Sequence, residues 1–127
     1  FNVPPSAAFL VKLGLAVGPL PLLVHFGYGA FWSIVFVWLF RERASVTRGL
    51  GLALVLWLVM MLVYSPIIGW GPFGLGDASA LPADAPLHLD AGPRYAVSTL
   101  VLHLVYGLTL GMLNPAWLGR RWREAEA

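Results

Sequence analysis

The sequence predicts an all-α integral membrane protein, a polytopic transmembrane helical bundle. Two observations carry the prediction. Hydrophobic residues make up 59% of the 127 residues and charged residues only 11%, whereas a soluble domain carries about 25% charged residues. Mean hydropathy is +0.78. The apolar residues also form long uncharged runs, at 22–40, 50–68 and 95–113, and such runs match the thickness of a bilayer. The length suits one domain over residues 1–127. With no cysteine, disulfides, thiolate metal sites and cysteine catalysis are excluded.

The elements follow in order. The chain opens on Phe1 rather than methionine, which leads us to expect processing or a preceding segment. Pro4-Pro5-Ser6 can start a helix. Residues 7–18 are apolar except for Lys12. They reach only about 18 Å, short of a bilayer core of about 30 Å. The expectation is a short interfacial, re-entrant or partial helix, with Lys12 extended to the headgroups.

Gly18-Pro19-Leu20-Pro21 breaks that helix, and the first span runs over 22–40 to the stop at Arg41-Glu42-Arg43. The second span covers 50–68, with Trp57 in its middle and Pro66 expected to kink or finish it. A glycine-rich exit, Gly69-Trp70-Gly71-Pro72-Phe73-Gly74, opens a polar loop over 71–94 with Asp77, Asp84, His88 and Asp90. The third span covers 95–113, Asn114-Pro115 is expected to end it, and Arg120, Arg121 and Arg123 mark a basic tail over 114–127.

Charge sets the orientation. Arginines 41, 43 and 48 share one connection, arginines 120, 121 and 123 share the tail, and the aspartates fall in the 71–94 loop. The positive-inside rule then predicts a cytoplasmic C-terminus and the acidic loop outside. Trp38, Trp117 and Trp122 suit the inner aromatic belt, and Tyr64 and Trp70 the outer one. The arginines read as topology anchors to acidic lipid, with no nucleic-acid partner.

One pattern recurs. His25-Phe26-Gly27-Tyr28-Gly29 with Ser33, and His103-Leu104-Val105-Tyr106-Gly107 with Gly111, place histidine and small residues at helical spacing on one stripe. The two spans run in the same direction, so both histidines are expected in the outer half of the membrane. The match suggests an internal hairpin repeat.

The stripes admit a bland reading and a sharper one. As helix-packing seams, Gly29, Ser33, Gly107 and Gly111 let backbones approach closely. As a binding site, His25 and His103 would ligate haem b or a (bacterio)chlorophyll-type pigment, with Tyr28 and Tyr106 around the ligands and a glycine one turn away giving a flat ring room. A small transporter or proton relay is disfavoured, because no Asp, Glu, Lys or Arg lies within the spans.

Catalytic and metal-binding residues are not expected. The spacing of Asp77, Asp84, His88 and Asp90 fits no EF-hand, zinc or catalytic pattern. The stretch from Pro66 to Gly74 lacks the lysine and hydroxyl of a phosphate-binding loop.

Gly49-x-Gly51 with Leu56-Trp57-Leu58, the Pro66-x-x-Gly69-x-Gly71-x-Phe73 exit and His103-x-x-Tyr106-Gly107-x-x-x-Gly111 resemble an uncharacterised domain-of-unknown-function family of small prokaryotic four-helix membrane proteins. The resemblance covers about 20–113. It implies a fold and a location in the prokaryotic plasma (inner) membrane, and no catalytic residues. That family's first spanning helix would precede residue 20, so the N-terminus departs from its pattern.

The expectation for function is a non-catalytic accessory or structural subunit of a larger membrane complex, respiratory or photosynthetic. Its partners would be lipid and other membrane subunits, docked through the small-residue seams. The alternative is a haem- or pigment-binding membrane protein ligated by His25 and His103.

Overall fold

A computed structural model describes residues 4–15, 18–76 and 92–125, with side chains up to Leu113 apart from Pro4, Pro5 and Glu42. The described residues are helical, with no strand among them. Helix α1 covers Pro4–Lys12, α2 Leu20–Phe40, α3 Val46–Ile67 and α4 Pro93–Ala125. Helices α2, α3 and the Pro93–Leu113 part of α4 are each long and apolar enough to cross a membrane. The aspartates and His88 of the 71–94 loop lie outside the described residues, as do the side chains of the basic tail.

Two differences from the expected boundaries have a clear physical cause. Helix α3 starts at Val46 rather than Leu50, because Ser45 caps it: its hydroxyl accepts the Arg48 backbone N–H at 3.3 Å. The charge on Arg48 had marked that turn as a loop, yet arginine is a good helix former. At the other end, α4 continues through Asn114-Pro115 to Ala125. A proline removes one backbone donor, and the turns on either side of it carry the helix on.

Inside α3, Met60–Tyr64 forms a wider π turn, in which the Ser65 N–H bonds the Met60 carbonyl five residues back. The extra residue in the turn accompanies Pro66, which has no N–H of its own to give. It leaves Ser65 fully buried. The helix then ends as the sequence predicts, just beyond Pro66. Trp70 N–H bonds Ser65 O at 2.9 Å and Gly69 N–H bonds Pro66 O at 3.1 Å. This is the paired closure of a helix that ends on a left-handed residue, here Gly69 at φ +94°.

The contacts between helices are unequal. Helices α3 and α4 pack along much of their length, while α2 touches each of them sparsely. Only 6% of the apolar window of α2 is buried, against 22% for each of the others. Two apolar clusters close the ends. Near Arg41, Phe36, Ala44 and Leu110 meet. At the opposite end, Ala8 of α1 joins Met61, Ile68, Trp70 and Tyr95.

Trp70 therefore departs from its expected place in an aromatic belt, being 1% exposed. The exit loop folds back, with Gly76 N–H on Trp70 O at 2.7 Å. The indole then meets Tyr95 edge-on at 4.8 Å. Lys12 is exposed, and its ammonium donates to the Ile67 carbonyl at the end of α3, where the helix dipole favours a cation.

Candidate functional site

Three of the motif residues, Gly29, Ser33 and Tyr106, meet between α2 and α4. Tyr106 Oη donates to the Gly29 carbonyl at 2.6 Å, and Ser33 Oγ reaches the same carbonyl at 2.8 Å. The two hydroxyls are 2.9 Å apart. Each has one proton, so when one donates to Gly29 the other can donate to its neighbour, and the three oxygens form a closed set. Without water in the hydrocarbon, such a set lets α4 hold α2 through polar groups that would otherwise be costly.

One turn toward the Tyr95 end lie His25 on α2 and His103 on α4. Their rings differ in setting, since His25 is exposed and His103 half-buried. His103 Nδ1 is 2.8 Å from the Thr99 carbonyl. A carbonyl can only accept, so Nδ1 carries the proton and the lone pair is on Nε2. Tyr28 is exposed and packs edge-on against Trp32 at 6.1 Å.

The two copies of the motif are thus used differently. The first copy offers Gly29 and Ser33 to Tyr106. The second offers Gly107 and Gly111 to α3. A Cβ on Gly107 would strike the Gly49 carbonyl and come within 2.6 Å of the Ala53 Cβ. One on Gly111 would come within 2.5 Å of the Val46 Cα. Gly29 is different, since a Cβ there would meet only the Tyr106 ring, at 4.0 Å. The space beside Gly107, which a flat ring below His103 would use, is filled by Gly49.

Gly49 and Ala53 complete this seam and were not among the predicted packing residues. Their own spacing, small residues four apart on α3, was the signal that could have found them. Also unanticipated is a polar strand of contacts beside His103. Trp57 Nε1 donates to Ala96 O and Thr99 Oγ1, each at 3.2 Å. Thr99 Oγ1 in turn donates to Tyr95 O at 2.8 Å, and Ser65 and Tyr95 hydroxyls meet at 3.0 Å. Among the described residues no group of three or more His, Cys, Asp or Glu could hold a metal ion. The chain shows no significant match to a protein-family model, a curated protein or a solved structure.

Proposed function

We propose that the chain is a non-catalytic subunit of a larger complex in the prokaryotic inner membrane, with its C-terminus in the cytoplasm. The observation that carries this reading is the state of α2. It is a spanning-length helix with little burial inside the chain, and it turns His25, Phe26 and Tyr28 outward. Aromatic side chains are favoured anchors at interfaces, and an imidazole facing hydrocarbon gains from a protein partner. The glycine seam is taken up by the chain's own α3, which leaves α2 as the docking surface.

A photoreactive residue in place of Phe26, activated in native membranes, tests the reading. We expect a protein adduct of one defined mass from Phe26, and lipid adducts alone from the same probe at Val55 on α3. Lipid adducts alone from Phe26 would refute it.

A second reading rests on His103. Its Nε2 lone pair is left open by the Thr99 contact, and His25 lies on α2 one turn before Gly29, the partner of Tyr106, so in this reading a haem or chlorophyll-type pigment is ligated from the α2 side. A reduced-minus-oxidised absorption spectrum in mild detergent decides it. This reading requires a haem or pigment band that disappears in His103→Ala, and a spectrum of tryptophan and tyrosine alone excludes it.

A further inference from the structure

We propose that the exit turn, residues 69–76, is a two-state cap: closed in this structure, and opening locally to carry the Trp70 indole out to the membrane interface. Two unfavourable features meet in this one turn. Trp70 is 1% exposed, and among the described residues no group accepts its indole N–H. A buried donor without an acceptor has lost its water and gained no bond in return. Phe73 sits at φ 55°, ψ 19°, a left-handed conformation that a bulky side chain adopts only under constraint. Packing alone holds both in place. Trp70 shares an apolar cluster with Ala8, Met61, Ile68 and Tyr95, and the Phe73 ring lies 5.8 Å from that of Trp57.

Opening relieves both. At the boundary between acyl chains and headgroups an indole N–H finds water or an ester carbonyl, and Phe73 can return to negative φ. What the closed turn covers is polar. The Ser65 and Tyr95 hydroxyls, 3.0 Å apart, belong to fully buried residues. Thr99 Oγ1 joins Tyr95 O to the Trp57 indole, and Thr99 O bonds His103. The cap therefore controls whether water reaches the first of the contacts that lead to His103. No part of it lies on α2, so it stands or falls apart from the docking reading.

The test replaces the indole N–H by sulfur, using benzothienylalanine, which keeps the shape of the ring. Hydrogen exchange of the full chain in lipid nanodiscs reads the opening. The amides of Gly69, Trp70, Gly74, Leu75 and Gly76 are each bonded to a backbone carbonyl of the turn or of the end of α3, so their exchange requires the cap to open. We expect Trp70→benzothienylalanine to slow exchange over 69–76 about tenfold, with exchange over 97–107 unchanged. At Trp57, whose N–H is taken by Ala96 O and Thr99 Oγ1, the same replacement should not slow exchange over 69–76. Unchanged or faster exchange in the Trp70 variant would overturn the proposal. So would slowing from both positions, which reports only the added apolarity of sulfur, or equal slowing over 69–76 and 97–107, which means that the turn opens only with the whole fold.

Discussion

The Tyr106 hydroxyl on α4 lies 2.6 Å from the Gly29 carbonyl on α2, with Ser33 Oγ 2.8 Å from that carbonyl and 2.9 Å from the Tyr106 hydroxyl. This contact joins a sparsely packed helix to a tightly packed hairpin, so its loss should loosen α2 first. Tyr106→Phe keeps the ring and removes the hydroxyl. It should destabilise the fold by about 0.6 kcal/mol, and by no more than about 1.7 kcal/mol, the range of polar contacts between membrane helices. Reversible unfolding in mixed micelles measures the change, and distances from spin labels on α2 and α4 should broaden while those between α3 and α4 stay sharp.

The glycines should separate by their surroundings rather than by their motif. Gly107→Ala drives a methyl into the Gly49 backbone and Ala53. The hairpin must open to admit it, at a cost of about 1–3 kcal/mol. Gly29→Ala places its methyl at ordinary contact distance from Tyr106 and removes a poor helix former, so stability should hold or rise by up to about 1 kcal/mol. The same unfolding assay reads both, and equal losses would mean that the seam does not hold α3 to α4.

Gly74 joins conformation to packing. It sits at φ +70°, and a Cβ there would come within 2.5 Å of the Tyr95 ring. Gly74→Ala should therefore lift the exit loop off Tyr95 and uncover Trp70. If the substitution weakens local closure by about 1.4 kcal/mol, amide exchange over 69–76 should rise about tenfold, with exchange in α4 unchanged.

Much of this architecture is legible in composition and periodicity. The absence of charge within the runs identifies the helices, because a charged residue inside hydrocarbon is costly wherever it packs. Helix ends were less legible. Arg48 and Pro115 interrupt an apolar pattern without interrupting a helix, since Ser45 caps the one and flanking turns carry the other. The motif residues could be named, but not what each one faces. Gly29 and Gly107 occupy equivalent places in the repeated pattern, yet one faces a tyrosine ring and the other a backbone. That difference comes from the rotation of each helix about its axis, and short-range spacing carries little of it. Trp70 shows the same limit. An indole beside a span reads as a belt residue until the fold-back of Gly71–Gly76 covers it.

The central claim is that α2 is completed by another protein. Its most direct test is the mass of the particle extracted from native membranes in mild detergent. The account predicts this 13.8 kDa chain bound at fixed ratio to a larger polypeptide, and released from it when Phe26→Ala and Tyr28→Ala are combined. A particle containing this chain and lipid alone, unchanged by the double substitution, would contradict it.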